Sequence, residues 1–191
     1  PGGVWCTVVH ASAEFCKRLQ RFCKVGVMKI VIAGGSGFLG SPLAEMYAED
    51  GHDVRVLTRA LAPGATRHDP GTGVPGITQV GWTADGASGP WASALEGADG
   101  VINLAGESLA STRWSSAAKT RFRDSRILAT RSLAAGIGAA VAPPAVFISG
   151  SAVGYYGPSD SRPLTESDPP GTDFLAQLCA DWEKEARQAE R

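Results

Sequence analysis

The amino-acid sequence predicts a doubly wound parallel α/β sheet of the Rossmann type over residues 28–191. Short β-branched runs recur along this part of the chain, and such runs are typical of strands buried on both faces of a parallel sheet. Helical patterns separate the runs, so we expect right-handed crossovers between successive strands. A glycine-rich turn follows the first run, as it does in dinucleotide-binding domains.

Five strands and the helices between them follow in chain order. The first helix stops at Gly51, since glycine is the usual residue after a helix end. The last helix carries Phe174, Leu178 and Trp182 at four-residue spacing, which is an amphipathic stripe. Residues 60–76 are rich in Gly, Pro and Thr and are predicted to form a loop. The predicted strands are 29–33, 54–58, 77–82, 101–105 and 145–149, and the middle helices are a short one at 91–96 and a long one at 115–140.

The two ends of the chain depart from this pattern. Residues 1–27 have no clear periodicity and are predicted to be a poorly defined N-terminal extension. Its positive charges follow its apolar stretch, which is the reverse of a secretory signal. An upstream fragment, an expression remnant or a misjudged start is favoured over a transit peptide. The helical pattern is still running at Arg191, so we expect the domain to be truncated.

Composition and charge exclude several classes of function. The net charge of −1 gives no electrostatic reason to expect nucleic acid or a membrane as partner. No apolar run approaches the roughly 20 residues that a membrane helix needs. The four cysteines form no CxxC pair and the three histidines lie near no matching ligand set, so we expect no metal site. These features favour a cytoplasmic protein with a small-molecule ligand.

The glycine-rich turn predicts where a dinucleotide binds. Glycines at positions 34, 37 and 40 follow a predicted strand and open a predicted helix. The first permits a tight turn, the second lets the backbone approach the pyrophosphate, and the third lets the helix pack on the strand. Free amides at the helix start favour phosphate. The predicted phosphate-binding residues are Gly34, Gly35, Ser36, Gly37, Phe38, Leu39 and Gly40.

The end of the second strand indicates which dinucleotide fits. An acidic residue usually stands there in NAD enzymes and binds the ribose 2′-hydroxyl, but this chain has Thr58 and Arg59. An arginine pairs with a 2′-phosphate that an acid would repel. We therefore expect NADP(H), with NAD(H) as the alternative. The competing interpretation is that Arg59 is a solvated loop residue.

Five separated motifs occur in order and resemble one protein family. They are residues 101–108 (VINLAGES), Arg113-Trp114, Ser125-Arg126 with Thr130, residues 149–157 (SGSAVGYYG), and Phe174 through Leu178-Cys179 to Trp182-Glu183. Together with the glycine spacing they resemble the extended short-chain dehydrogenase/reductases. The branch is an atypical NAD-dependent epimerase/dehydratase-like family, sometimes labelled a cell-division-inhibitor-like epimerase, and the resemblance covers residues 28–191.

The resemblance implies further cofactor contacts and a second region. Leu104, Ala105 and Gly106 would pass along the adenosine and ribose, and Arg126 would reach from the long helix towards the cofactor. The alternative for Arg126 is a surface charge. Members have a smaller C-terminal substrate region, and we expect it to lie outside residues 1–191. Related proteins often form homodimers, and a homodimer is therefore one expected oligomeric state.

The usual catalytic pair of the resembled family is absent. Typical members use a serine with a tyrosine and a lysine four residues apart on the last helix, where this chain has Phe174 and Leu178; Lys184 lies too far along the helix to substitute. The remaining catalytic candidates are Ser151, at the position of the family serine, with Tyr155 and Tyr156 in the loop that follows.

Other polar and aromatic residues near these candidates leave alternatives open. Either Tyr155 or Tyr156 supplies a proton as an acid, or both side chains only pack against a glycine-rich turn. Ser149 also ends the fifth strand, and Glu107 and Arg113 contact either substrate or solvent. Trp114 and Trp182 are expected to fill the core.

These observations favour one function and leave two alternatives. The leading hypothesis is an NADP(H)-binding oxidoreductase or epimerase-like enzyme that acts on an unidentified small molecule. The alternative is a non-catalytic NADP(H)-binding redox sensor or scaffold, which the missing tyrosine and lysine favour. A nucleotide-sugar epimerase is a weaker third hypothesis, because it needs a C-terminal sugar site.

Overall fold

The computed structural model describes residues 5–9, 26–68, 76–158 and 162–190. These residues contain one seven-stranded sheet with the spatial order β1-β7-β6-β2-β3-β5-β4. The strands are β1 Trp5–Val9, β2 Lys29–Ala33, β3 Asp53–Thr58, β4 Thr66–His68, β5 Ile77–Gly81, β6 Gly100–Asn103 and β7 Val146–Gly150. The α-helices are α1 Gly40–Glu49, α2 Ser116–Ala139 and α3 Phe174–Ala186, and short 3₁₀ turns lie at Pro90–Ala94, Val153–Tyr156 and Arg187–Ala189.

The strand order confirms the doubly wound parallel fold. Neighbouring strands pair in parallel, except β4, which pairs with β5 antiparallel. The chain proceeds outward from β2 through β3 to β5 and then returns to β6 on the other side of β2. This reversal makes the carboxyl ends of β2 and β6 the switch point, where α/β sheets form their ligand crevice.

Alternating residues of the strands fill two separate cores. Val31 and Phe147 belong to the core that also holds Leu133 of α2. Ile30 and Ile102 point to the opposite face, where they join residues of α1. Parallel strands of a doubly wound sheet are expected to be apolar on both faces for this reason.

Two features of the sheet differ from the sequence-based prediction. The loop predicted at 60–76 contains β4, whose three residues are all exposed and lack the apolar pattern of a strand; residues 69–75 lie outside the described part. Residues 5–9, inside the predicted N-terminal extension, form β1 at the edge beside β7. The remaining predicted strands are confirmed with end shifts of one or two residues.

The two helices on the β7 side of the molecule are capped and held together. Ser115 accepts a hydrogen bond from Ala118 N at the start of α2, and Asp173 caps α3 through Ala176 N, which are the expected roles of these residue types. Two hydrogen bonds of 3.0 Å and 2.6 Å join Arg131 on α2 to Glu185 on α3. Within the described part of the chain, none of the helices is long and apolar enough to cross a bilayer.

Glu96 ties the first 3₁₀ turn to the connection between α2 and β7. Its carboxylate accepts hydrogen bonds from Val141 N and Ala142 N over 3.0 Å and 2.9 Å. These two backbone hydrogen bonds, that of Ala142 first, hold the pKa of Glu96 below its ordinary value. A carboxyl group whose pKa is lower in the folded than in the unfolded protein stabilises the fold at pH values above the unfolded-state pKa. This stabilisation is lost as the pH falls through the folded-state pKa.

We therefore expect Glu96→Gln to lower the melting temperature near neutral pH and to change it less at pH 3, because the stabilisation by the wild-type carboxylate diminishes as the pH falls towards its lowered folded pKa. Differential scanning calorimetry at both pH values measures this. The matched control is Glu49→Gln, an exposed acid at the end of α1, which should leave the melting temperature close to the wild type at both. Equal destabilisation by Glu96→Gln at both pH values would contradict the assignment.

Candidate cofactor and active site

The turn after β2 is a close-packed backbone loop that leads into α1. Gly34 has a φ of +81°, and Gly37 N donates to Gly34 O over 3.0 Å before α1 begins. A Cβ on Gly40 would collide with the Gly34 carbonyl oxygen, so glycine there lets the helix pack on the turn. Leu39, the N-cap residue, provides no side-chain cap among the described contacts. The start of α1 is thus not capped by a side chain, and an uncapped helix start is a position where an anion can bind.

The predicted phosphate turn lies against the segment that follows β6. A Cβ on Gly34 would lie 2.6 Å from the carbonyl carbon and oxygen of Leu104 and 2.9 Å from Ala105 N. Only glycine tolerates both this contact and a positive φ. The structure thus brings residues 34–40 and 104–106, two predicted cofactor-binding stretches, together at the switch point of the sheet.

A fully buried polar network supports the 104–106 turn. The side-chain amide of Asn103 donates to Thr130 Oγ1 over 2.7 Å and to Ser149 Oγ over 3.2 Å, and its oxygen accepts from Ala105 N over 3.2 Å. Trp182 Nε1 donates to the same threonine oxygen over 2.8 Å. The network links β6, β7, α2 and α3 beneath the turn. Ser149 belongs to it and is 1% exposed, so it faces the interior and not the crevice.

Arg126 lies beside the 104–106 turn, as the sequence predicts. A Cβ on Gly106 would lie 3.0 Å from the Arg126 guanidinium carbon, and that guanidinium stacks over Trp182 at 5.5 Å. Burial lowers the pKa of Arg126, while the neighbouring Cys179 and Glu107 raise it. One terminal nitrogen donates to Phe122 O over 3.0 Å. This half-buried cation is placed to meet an oxygen atom of a ligand on the turn, and its cofactor role stays a prediction.

Thr58 and Arg59 lie at the same edge of the sheet as the glycine turn. Ala33 at the end of β2 pairs with Leu57 on β3, so the residues after both strands are neighbours. Thr58 Oγ1 accepts from Ala60 N over 3.2 Å and shapes the turn. Arg59 is exposed, as a residue must be to meet a phosphate at the outer end of a dinucleotide.

Ser151 lies on the rim of the crevice and is bonded to a buried acid. Its hydroxyl donates to Glu183 Oε1 over 2.7 Å, and Glu183 is 4% exposed. The second carboxylate oxygen accepts from Arg187 Nη2 over 3.3 Å. A buried carboxylate is tolerated only when it is hydrogen-bonded and paired in this way.

Tyr155 and Tyr156 form an edge-to-face pair in the 3₁₀ turn after β7. Their ring centroids are 5.2 Å apart, and both side chains are half-buried. Burial, followed by the charges of Glu166 and Glu183, raises the pKa of Tyr156. A phenol with a raised pKa is neutral near pH 7 and serves as a proton donor sooner than as a base. Their catalytic role remains a prediction.

The residues of α3 that face the end of β7 are not Phe174 and Leu178, the two positions where the catalytic tyrosine and lysine were expected. Leu178 is buried in the core, and Phe174 packs on aromatic neighbours. The side of α3 that faces the end of β7 carries Cys179 and Glu183. Cys179 accepts a hydrogen bond from Ala152 N, and burial raises its pKa. Sequence reasoning missed Glu183, although the four-residue spacing from Cys179 places both on one helix face.

One aromatic prediction is correct and one is wrong. Trp182 is 7% exposed and fills the core, as expected, whereas Trp114 is 43% exposed. Trp114 lies over Phe122 and Phe174 at ring distances of 5.9 Å and 6.0 Å. Its indole Nε1 donates to Leu109 O over 2.9 Å, which holds the ring at the surface against these two phenylalanines.

Two polar residues of the loop after β6 have different surroundings. Glu107 Oε1 accepts from Arg121 Nε over 3.4 Å, and its backbone amide donates to Ser125 Oγ over 2.9 Å. Arg113 is exposed. Glu107 is therefore anchored to α2, and a substrate contact for either residue remains a prediction.

Comparisons with known proteins agree with this arrangement. The family model described as the NAD dependent epimerase/dehydratase family matches residues 30–190. An epimerase family protein of Mycobacterium bovis is 41% identical over 164 residues, which cover 85% of this chain and 49% of that protein. The chloroplastic SDR39U1 homolog of Arabidopsis thaliana is 35% identical over 170 residues, with 88% of this chain and 47% of that protein covered.

Solved structures show the same fold. The human epimerase family protein SDR39U1, crystallised with NADPH, superposes with a TM-score of 0.67 at 30% identity, over 84% of this chain and 49% of that one. A nucleoside-diphosphate sugar epimerase of Corynebacterium glutamicum gives 0.66 at 30% identity, over 92% of this chain and 34% of that one. The chain spans about half the length of the curated relatives it matches. It belongs to the NAD dependent epimerase/dehydratase family and has the NAD(P)-binding fold of that family.

Proposed function

We propose that this chain is the NADP(H)-binding part of an oxidoreductase or epimerase-like enzyme that acts on a small molecule. The observation that carries the proposal is the close approach of the glycine turn, at Gly34, to the backbone of Leu104 and Ala105 at the switch point of the sheet. The human relative was crystallised with NADPH, and this supports the same dinucleotide here.

The residues present fit a nicotinamide dinucleotide. Glycines at 34 and 40 remove the side chains that would otherwise collide with backbone, so the turn can pack tightly enough for its backbone to approach a pyrophosphate. Residues 104–106 and Arg126 would line the middle of the cofactor, and Arg59 would meet the 2′-phosphate. When bound, the nicotinamide ring would accept or donate a hydride. Ser151 and the tyrosine pair would orient the substrate oxygen and move its proton.

Arg59 provides the first test of the cofactor preference. We expect Arg59→Ala to raise the Kd for NADPH about tenfold or more, because a charge-assisted contact to phosphate contributes about 1.5 kcal/mol or more. The Kd for NADH should change little. Isothermal titration calorimetry on the full-length protein measures both values. The control is Lys184→Ala, which removes an exposed cation on α3 and should alter neither; an equal loss of NADH affinity in Arg59→Ala would remove the basis for the preference.

A non-catalytic NADP(H)-binding sensor or scaffold is the second candidate. Phe174 and Leu178 favour it, because neither side chain moves a proton and both are occupied in packing. Turnover of a panel of secondary alcohols and ketones with NADP⁺ and NADPH distinguishes the two functions. NADPH binding with no turnover, together with a protein partner whose capture changes on adding NADPH, would favour the sensor.

A further inference from the structure

The hydrogen bond between Ser151 and Glu183 restricts what the serine offers a ligand. A serine hydroxyl has one proton and two lone pairs, and here the proton points to Glu183 Oε1 over 2.7 Å. Ser151 then presents only acceptor lone pairs to the crevice. It is suited to receive a proton from a hydroxyl group, and it donates to a carbonyl oxygen only when the carboxyl group of Glu183 itself carries a proton.

The position of the pair connects it to the proposed cofactor site. Ser151 follows β7 directly, and Ser149 at the end of that strand pairs in register with Asn103 of β6. Asn103 in turn holds Ala105 N. The serine therefore lies at the same sheet edge as the 104–106 turn, while the carboxylate lies behind it, shielded from water at 4% exposure.

The surroundings of Glu183 include residues of several elements. Arg187, one turn further along the chain, supplies the nearest cation. Cys179 on the same helix and Tyr156 in the 3₁₀ turn both feel the charge of Glu183. Arg126 of α2 lies beside Cys179. One carboxylate oxygen thus accepts from a serine and the other from a guanidinium, so only the first is placed to exchange a proton with Ser151.

We propose that Ser151 and Glu183 form a proton relay that takes the place of the missing tyrosine and lysine. The inference rests on the proposed function. In oxidation, the substrate hydroxyl proton passes to Ser151 Oγ while the serine proton passes to Glu183 Oε1, and the substrate C–H bond breaks to release a hydride to the oxidised nicotinamide dinucleotide. The products are a carbonyl compound, the reduced dinucleotide and a neutral carboxyl group. Reduction is the reverse, and the substrate class is a secondary alcohol or its ketone. Ser151 is the catalytic residue, and Glu183 acts through it.

The first test locates the proton without needing a substrate. Infrared difference spectra of the full-length protein are recorded between acid and neutral pH, for the wild type, Glu183→Gln and Ser151→Ala. We expect one carboxyl band that disappears in Glu183→Gln and shifts in Ser151→Ala. We also expect it to differ between the NADP⁺ and NADPH complexes, because the charge of the nicotinamide ring changes nearby. A band that is the same in Ser151→Ala and the wild type, and the same in both dinucleotide complexes, would assign Glu183 to a structural pairing with Arg187. That result would overturn the relay.

The second test measures turnover of secondary alcohols with NADP⁺. Glu183→Gln keeps the shape and the acceptor oxygen but cannot take the proton, so we expect kcat to fall about 100-fold, with an altered pH profile and an unchanged Kd for NADPH. The matched control is Glu185→Gln, an acid on the same helix that pairs with Arg131 away from Ser151, and it should keep wild-type kcat. Unchanged kcat in Glu183→Gln would overturn the relay.

The outcomes separate this inference from the function on which it rests. Loss of NADPH binding in the wild-type protein would remove the proposed function. If the wild-type protein binds NADPH but the infrared band of Glu183 does not change with Ser151→Ala or with the dinucleotide, only the relay is removed. If no alcohol is turned over, the infrared result decides.

Discussion

Gly34→Ala is expected to abolish NADPH binding at concentrations that saturate the wild-type protein. The new Cβ would lie 2.6 Å from the carbonyl carbon and oxygen of Leu104, and the residue would have to keep a φ of +81°. Such a conformation costs about 1–3 kcal/mol by itself for a non-glycine residue. The collision with backbone adds to this, since Asn103 anchors the segment it meets. We expect the Kd to rise about 100-fold or more, as each 1.4 kcal/mol or so is tenfold.

Gly51→Ala is the matched control for this substitution. Gly51 also has a positive φ, of +84°, but a Cβ there would meet no atom within 4 Å, and it lies at the far end of α1. We expect it to cost about 1 kcal/mol of stability and to leave the Kd unchanged. Calorimetric titration with NADPH, together with thermal melts to confirm folding, distinguishes the two variants. Wild-type affinity in Gly34→Ala would show that the turn does not hold the cofactor.

Asn103→Leu is expected to cost about 3 kcal/mol of unfolding free energy or more. Leucine has nearly the same shape as asparagine, but it cannot accept from Ala105 N or donate to Thr130 and Ser149. Asn103 is 0% exposed, so water cannot replace these partners. Each buried polar group left without its partner costs about 1–3 kcal/mol. The 104–106 turn should loosen as well, so we also expect weaker NADPH binding.

Urea denaturation measures the loss in stability for Asn103→Leu. Thr120→Val is a suitable comparison, because it removes an exposed hydrogen bond to Ser116 O on α2 and should change stability by about 0.5 kcal/mol or less. If Asn103→Leu lost no more than this comparison variant, the buried network would not be what holds the turn.

The central strands and the glycine turn are predictable from the sequence because their signals are local. Residues 30–33 are apolar on both faces whatever surrounds them, and the positive φ of Gly34 requires glycine at that position. The edge strand β4 escapes prediction because its three residues are exposed and polar. Only pairing with β5, which is a tertiary contact, makes it a strand.

The candidate site was predictable in its residue types but not in its contacts. Ser149 and Ser151 look alike in the sequence, and only the fold shows that Asn103 holds the first while Glu183 holds the second. Glu183 is charged and its burial follows from the docking of α3 against the end of β7, which no local pattern indicates. The exposure of Trp114 likewise depends on tertiary contacts, namely its packing against the outer sides of Phe122 and Phe174.

Amide hydrogen exchange of the full-length protein, with and without NADPH, tests the central claim most directly. If the glycine turn and the strand-end backbone together hold the dinucleotide, NADPH will slow exchange in residues 34–40 and 104–106 at the same time, and NADH will do so less at equal concentration. An exchange pattern in which neither stretch responds to NADPH would contradict the account.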